Sequence, residues 1–480
     1  MRYGNYIGGW KKPKAGEYSS NRNPHDSREV LGYFPASTAE DVKEAIELAQ
    51  EAFPLWKKFS LPERAACLKR AAEIIRGKAG QIARDLTREE GKTFAEAKGE
   101  TLRAVSILEF FAAEGFQPAG EVIPSVSRQT FLYTKRMPLG PVGLITPWNF
   151  PIAIPVWKMA PALLYGNTVV IKPAELTPMS VYHVIDAFHK AGIPEGVVNC
   201  VFGRGTDAGA EIVANEGIKA ISFTGSNSVG QNIQKRAARQ GKKVQLELGG
   251  KNPLIILEDA DLDKAVDMAV SGAFRSTGQK CTATSRIIVD KKVYKAFRER
   301  LVKKTQMLKV GNPLERDTFM GPCASRRQRE HVLELIKAGK EEADLLIGGD
   351  LPREPELAHG FYIQPTIFEN VSRNARIARE EIFGPVIALF QVEGYDEAIH
   401  LANDTSFGLS ASICTNNLTL ARRFAEEIEA GMVHINSETA GAEPQAPFGG
   451  YKGSGNGSRE QGKAAAEFYT QLKTVYMDPM

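Results

Sequence analysis

The sequence predicts an α/β protein: a mostly parallel, doubly wound sheet, a second α/β domain after it, and a small separate β element. Three observations carry this. Short apolar runs stand at 142–146 (VGLIT), 168–172 (TVVIK), 197–202 (VVNCVF), 219–224 (KAISFT) and 243–248 (KVQLEL), with helix-like stretches between most of them. Continuous apolar strands alternating with helices mark a parallel sheet covered on both faces. A second series follows from about Asn252, with 254–257 (LIIL), 285–289 (SRIIV) and 410–414 (SASIC). Finally, 121–139 (EVIPSVSRQTFLYTKRMPL) reads as strand–turn–strand, and the tail 467–477 (EFYTQLKTVYM) alternates like an edge strand.

Taken in order, the first 35 residues are rich in Gly, Tyr, Asn and Pro and read as turns and short strands. A helix follows from about Thr38, with Ser37 and Thr38 as cap candidates. Val42, Ile46, Ala49 and Phe53 share one of its faces. Pro62 can open a second helix, with Cys67, Ala71, Ile74 and Ile75 facing inward. A third is expected roughly from Glu100 to Glu114, ended by Gly115. The hairpin at 121–139 then leads into the parallel series. Ligands of such sheets bind beyond the carboxyl ends of the strands, so the residues after each strand are the first candidates.

Composition narrows the function. The chain has 480 residues, 43% of them apolar, enough for a large core. Its 61 basic and 57 acidic side chains leave a net charge of +4, which calls for neither nucleic acid nor an anionic membrane as partner. Cys67, Cys200, Cys281, Cys323 and Cys414 are widely spread and odd in number, which suits a reducing compartment. The N-terminus lacks an apolar signal-like region, and no run has the length of a membrane span, so a cytoplasmic location is expected. The seven histidines form no HxH, HExxH or Cys/His cluster, so no metal site is expected. No GxSxG elbow is present, which disfavours serine hydrolysis.

Chemistry-bearing residues cluster at strand ends. Cys281 lies in FRSTGQKCTATSR beside Lys280, where positive charge or oriented backbone N–H groups would favour a thiolate; a packing cysteine is the alternative. Glu247 in LELGGKNP ends a buried strand and precedes Gly249 and Gly250, a position for a general base or for an ion-paired carboxylate. Asn149 in ITPWNFP can donate to an oxyanion or shape a turn. Lys172 and Glu175 in IKPAELTP suit a ribose or a solvated loop. FTGSNSVG at 223–230 joins a strand to a helix, and its N–H groups with Ser226 suit a phosphate or form an ordinary capped turn. FGRGTDAG at 202–209, which includes Gly205, is glycine-rich but is no GxGxxG. REEIFGPV at 379–386 and PFGGYKGSGNGSREQG at 447–462 complete the set.

In this order PWNFP, KPAE, FTGS, LELGGK, GQKC, EEIFGP and the PFGG–K–SG segment resemble the aldehyde dehydrogenase superfamily over essentially the whole chain. The resemblance implies a Rossmann-type coenzyme domain (1–120 and 140–249), an α/β catalytic domain (250–449) and an oligomerisation element (121–139 and 465–480). It implies a homodimer or homotetramer in which the tail strand extends a partner's sheet. It implies Cys281 as nucleophile, Asn149 with the Cys281 N–H as oxyanion hole, and Glu247 as general base. NAD, with NADP as an alternative, would be held by Ile145, Thr146, Pro147, Trp148, Lys172, Glu175, Gly205, Phe223, Thr224, Gly225, Ser226, Leu248, Gly249, Glu381 and Phe383. Glu175 favours NAD, since a carboxylate repels a 2′-phosphate. The presence of Glu247 favours hydrolysis of a thioester over its transfer to CoA.

For the substrate, STGQKCTATSR, WNFPIAIPVWK and GSGNGSREQG are similar to α-ketoglutaric semialdehyde (2,5-dioxopentanoate) dehydrogenases. Arg275, six residues before Cys281, matches an arginine that semialdehyde-oxidising members often carry and that would pair with a distal carboxylate; a structural ion pair in the helix before Cys281 is the alternative. Succinic semialdehyde dehydrogenases often carry a second pocket arginine; the sequence shows no candidate for it, and Trp157 stands eight residues after Asn149. Trp157 walls an apolar tunnel or fills the core. The alternatives are a broad-specificity aliphatic or aromatic aldehyde dehydrogenase, a catalytically silent NAD-binding or structural protein, and a redox-sensing thiol at Cys281.

Overall fold

A computed structural model describes residues 1–117 and 119–480. The five predicted strands appear as Pro141–Ile145, Thr168–Lys172, Val198–Cys200, Ala220–Thr224 and Lys243–Glu247. They pair in parallel, and two short antiparallel strands, Asn5–Tyr6 and Trp10–Lys11, extend the sheet to seven. From Pro141–Ile145 the chain moves outward one way through Thr168–Lys172 and Val198–Cys200. It then returns to the other side with Ala220–Thr224 and Lys243–Glu247. This reversal between Pro141–Ile145 and Ala220–Thr224 opens a crevice at their carboxyl ends.

The second sheet also has seven strands. Thr366–Glu369, Val386–Val392, Thr284–Asp290, Asn252–Ile256, Ser410–Cys414 and Met432–Ile435 run parallel, with Asp344–Ile347 antiparallel at one edge. Its central strands are almost wholly buried, as continuous apolar runs require.

The helices are set by their caps. Ser60 and Glu63 form a capping box for Leu61–Gly77, and Thr93 and Glu96 one for Phe94–Glu114. The latter helix therefore starts six residues before the expected Glu100. A helix at Ala79–Glu90, stopped by Gly91 at φ 99°, was not legible in the sequence. No helix among the described residues is long and apolar enough to cross a membrane.

The tail corrects one expectation. Its first residues are helical (Ala465–Tyr469), and only Thr470–Met477 is a strand. That strand pairs antiparallel with Phe131–Pro138 of its own chain, from Thr470 opposite Pro138 to Met477 opposite Phe131. The hairpin offers a complete ladder within the chain, so this side of the tail is satisfied without a partner. Its other side is a sheet edge.

Candidate active site

The helix Leu262–Phe274 gives way to a tight turn in which Ser276, Thr277 and Gly278 take φ of 55°, 57° and 68°. Left-handed backbone is costly for Ser and Thr and persists only when held. Glu96 accepts from the Ser276 N–H at 2.7 Å, and Thr277 Oγ1 donates to the Gly321 carbonyl at 3.0 Å. At Gly278 a Cβ would lie 2.2 Å from the Gly384 oxygen, so only glycine fits. The turn delivers Cys281, whose carbonyl accepts from Asn252 Nδ2 at 2.8 Å.

Cys281 is the one partly exposed cysteine; the other four are buried. Burial pushes its thiol up to about 12, with the nearby charges of Glu381 and Glu247 adding to the effect. The backbone N–H groups of Thr282 and Cys281 pull the other way. Lys280 stands in charge-interaction range of the thiol, as expected, with its ammonium donating to the Ser271 carbonyl at 3.3 Å; burial and the charges of Glu381 and Glu247 outweigh it.

Asn149 is buried after strand Pro141–Ile145. Its Nδ2 donates to the Gln279 carbonyl at 3.0 Å, two residues before Cys281. Its own carbonyl accepts from Lys92 Nζ at 2.7 Å, and Lys92 in turn binds Glu100 at 2.6 Å. Glu100 also accepts from the N–H groups of Ile152 (2.8 Å) and Ala153 (3.1 Å). One amide hydrogen of Asn149 thus fixes its orientation, and an amide nitrogen carries a second.

Glu247 ends strand Lys243–Glu247 at 2% exposure, and neither carboxylate oxygen meets a donor among the described residues. Gly449 leaves it room, since a Cβ there would lie 2.6 Å from its Oε1. Burial raises its pKa well above the usual carboxylate range, and the charge of Glu460 adds to this. Glu460 is itself ion-paired with the buried Lys158, which also donates to Ser222 Oγ at 2.8 Å. Sequence reasoning assigned no role to Lys158, Glu460 or Asn252. Lys158 and Glu460 lie in quoted motifs, but nothing local announces that they meet.

The crevice carries the features of a nucleotide site. Thr146 and Thr224, at the ends of the two diverging strands, have buried hydroxyls without partners among the described residues. Ser226 caps the helix Asn227–Ala238 without a side-chain cap bond, leaving its hydroxyl and the first N–H groups for an anion. Lys172 is buried and bound to the Pro173 and Gly203 carbonyls at 2.7 and 3.2 Å, and burial lowers it to about 8. Exposed Glu175 accepts from the Gly205 N–H at 3.0 Å. Ile145, Phe223 and Leu248 are buried beside them. Glu381 accepts from Gly250 at 3.0 Å, and a Cβ on Gly249 would lie 2.2 Å from Glu381 Oε2. Trp148, next to Pro147, meets Phe383 edge-on at 5.4 Å; Gly225 separates strand from helix.

The two specificity candidates sit differently. Arg275 lays its guanidinium 4.2 Å over the Phe319 ring. Trp157 is a core residue of the buried helix Ala153–Leu164, packed on Phe448 at 5.3 Å. Arg103 comes from the helix that carries Glu96 and Glu100, within charge-interaction range of the Cys281 thiol.

A paired-sheet α/β architecture with a thiol, an unpartnered carboxylate and an anchored amide beside a dinucleotide-type crevice defines the class. The chain belongs to the aldehyde dehydrogenase family, whose family model matches residues 10–475. It is 50% identical to an alpha-ketoglutaric semialdehyde dehydrogenase of Bacillus subtilis strain 168, over 99% of this chain and 98% of the other. It is 43% identical to a 2,5-dioxopentanoate dehydrogenase of Saccharolobus solfataricus, covering 97% of each. Among solved structures, the NAD+ complex of an aldehyde dehydrogenase from Bacillus cereus superposes with a TM-score of 0.96 at 37% identity, over 100% of this chain and 97% of the other.

Proposed function

We propose that the chain oxidises α-ketoglutaric semialdehyde to 2-oxoglutarate with NAD, through a thioester on Cys281. The observation that carries the chemistry is the partly exposed Cys281 thiol in charge contact with Glu247, a buried carboxylate without a hydrogen-bond partner. The substrate reading rests on the names of the Bacillus subtilis and Saccharolobus solfataricus relatives.

In this reading the Cys281 thiol gives up its proton to solvent water, the sulfur bonds to the aldehyde carbon, and the C=O π pair moves onto oxygen, which becomes an oxyanion. The free N–H of Asn149 and the Cys281 backbone N–H stabilise it; such preorganised donors cost no reorganisation when charge develops. When bound, NAD supplies a formally cationic nicotinamide ring that offsets the acidic surroundings of the thiol and accepts the hydride. The resulting thioester splits a hard oxidation into two easier steps. Glu247 then takes a proton from water as the oxygen attacks the acyl carbon, the C–S bond breaks, and the acid leaves. A base with a raised pKa suits that transfer near neutral pH.

Thr146, Thr224, Ser226, Lys172 and Glu175 would hold the dinucleotide, with Ile145, Pro147, Trp148, Gly205, Phe223, Gly225, Leu248, Gly249, Glu381 and Phe383 lining it. The unpartnered hydroxyls at the strand ends and the uncapped helix start suit its phosphates and ribose. Glu175, a carboxylate on the ribose side, argues for NAD over NADP. Arg275 is the carboxylate anchor in this reading, and Trp157 with Phe448 forms an apolar wall. We further propose a homodimer or homotetramer built on the free edge of Thr470–Met477, which exposes Leu472, Tyr476 and Met477; light scattering on the purified chain tests it.

The deciding experiment compares initial rates of NADH formation for 2,5-dioxopentanoate, succinic semialdehyde, hexanal and benzaldehyde, on wild type and Arg275→Ala. The proposal expects 2,5-dioxopentanoate to lead in kcat/KM and its lead to shrink in the variant. A lead for the uncharged aldehydes would make this a broad-specificity aldehyde dehydrogenase.

A further inference from the structure

Sequence reasoning left the carboxylate-bearing substrate with one arginine, Arg275, because Trp157 stands where a second was sought. The fold brings another cation from a different element. Arg103 lies on the helix Phe94–Glu114, on the face that also carries Glu96 and Glu100 at helical spacing. Those two carboxylates bind the Ser276 N–H before Cys281 and the Ile152 and Ala153 N–H groups after Asn149. The face is therefore docked on both segments of the site. Arg103 continues it, with Glu100, Cys281 and Glu443 in charge-interaction range.

Its hydrogen bonding is the unexplained part. Arg103 Nε and Nη2 are closed off from solvent and meet no acceptor among the described residues. These two atoms form one edge of the guanidinium, the edge a carboxylate grips with two parallel bonds. The molecule shows that grip elsewhere: Arg298 Nε and Nη2 hold the two oxygens of Glu369 at 2.6 Å each. Arg286 and Arg329 each leave only a buried Nε unsatisfied, so Arg103 alone presents a whole buried edge without acceptors among the described residues. Glu100, the nearest internal carboxylate in sequence, is already engaged by Lys92, Ile152 and Ala153. A guanidinium cannot shed its charge to escape the cost of an unmade bond.

We infer that Arg103 is a specificity-determining residue whose Nε/Nη2 edge receives the distal carboxylate of the semialdehyde substrate, bidentately, while the aldehyde end lies at Cys281. The inference rests on the reading of the substrate as a carboxylate-bearing semialdehyde. It makes Trp157 no obstacle to two-point recognition, since the second cation comes from a different element.

The test measures kcat/KM for 2,5-dioxopentanoate and for hexanal on wild type, Arg103→Met and Arg103→Lys, with thermal melting of each. The ratio between the two substrates is the readout. It should fall by roughly 30-fold or more in Arg103→Met, carried mainly by KM. Arg103→Lys, which keeps the charge and loses the two-pronged edge, should fall in between. Inhibition by 2-oxoglutarate against hexanal should weaken in the same order. If wild type prefers 2,5-dioxopentanoate and Arg103→Met keeps that preference, the Arg103 assignment is overturned and the substrate reading stands. If wild type has no such preference, both fall. If folded Arg103→Met loses both substrates equally and its pH profile shifts, Arg103 acts on the thiol and the anchor assignment is overturned. Should Arg103→Met fail to fold, the ratio in Arg103→Lys decides alone.

Discussion

Glu100 and Glu247 are both carboxylates shut away from water, at 4% and 2% exposure, in two regions of one site. On the wall behind Asn149, Glu100 is engaged by Lys92 and two backbone N–H groups. At the strand end beyond Gln245, Glu247 meets no donor among the described residues. A buried charge that is paired and hydrogen-bonded builds structure; one left without partners costs stability and is retained for chemistry. The first region holds Asn149 in place. The second leaves a carboxylate free for the proposed role of base.

That contrast can be broken most sharply at the thiol both regions serve. Cys281→Ala should reduce turnover by at least about 10³-fold, because no neighbour can replace the nucleophile. NADH binding, followed by its fluorescence, should survive, and substantial aldehyde oxidation in this variant would remove Cys281 from the role. Glu247→Gln comes next, with steady-state turnover slowed by about 10²–10⁴-fold. The first turnover should still release NADH, and mass spectrometry should find the acyl-enzyme; a normal steady-state rate would end the claim that this carboxylate is the base. In wild type the hydrolytic step should rise with pH through the elevated pKa of Glu247.

Glu100→Ala should act on stability instead, by about 3–5 kcal/mol, since it strips buried Lys92 of its hydrogen-bonded carboxylate, leaving Glu90 at 3.8 Å, and orphans the Ile152 and Ala153 N–H groups. Denaturant titration measures it, and a loss under 1 kcal/mol, well below that range, would show that the engaged carboxylate is dispensable. Glu247→Gln should have the opposite sign. The folded-state pKa of Glu247 is raised above its ordinary 4.5, so its protonated form favours the fold. That contribution is whole below the unfolded value and is lost as pH rises through the folded one. The melting temperature of the Gln variant should therefore gain on wild type as pH increases; a gain that shrinks with pH would refute the reading. The smallest effect is expected at Ser226→Ala, where loss of one hydroxyl donor should raise KM for NAD by about 2- to 12-fold, the equivalent of one ordinary hydrogen bond.

Much of the framework could be read from residues alone. The run TVVIK is the strand Thr168–Lys172, and the other four apolar runs match observed strands to within two residues at either end. These strands are buried on both faces, so their apolar signal is continuous and local. The helix at Ala79–Glu90 escaped because Gly77, Gly80 and many charges mask Ile82, Ala83 and Leu86, which form its buried face. In the site, Asn149, Glu247 and Cys281 stand in recognisable motifs, and the fold brings them into one neighbourhood. The charge of Lys280 beside Cys281 was legible from adjacency; what outweighs it, burial with Glu381 and Glu247, comes from distant segments and was not.

By itself, the sequence determined the alternation of buried strands and helices, the placement of Gly278 where no side chain fits, and the supply of a thiol, an amide and a carboxylate at segment ends. Those are properties of single segments, set by hydrophobic period, cap chemistry and backbone sterics. Only the tertiary structure decided which charges are paired. Lys158 finds Glu460 across 302 positions of sequence, while Glu247 is left alone beside them. Arg103, in charge-interaction range of the thiol, carries an empty guanidinium edge on a helix that reads as ordinary. Pairing and desolvation depend on what long-range packing brings near and what it shuts out from water, and no local pattern records either.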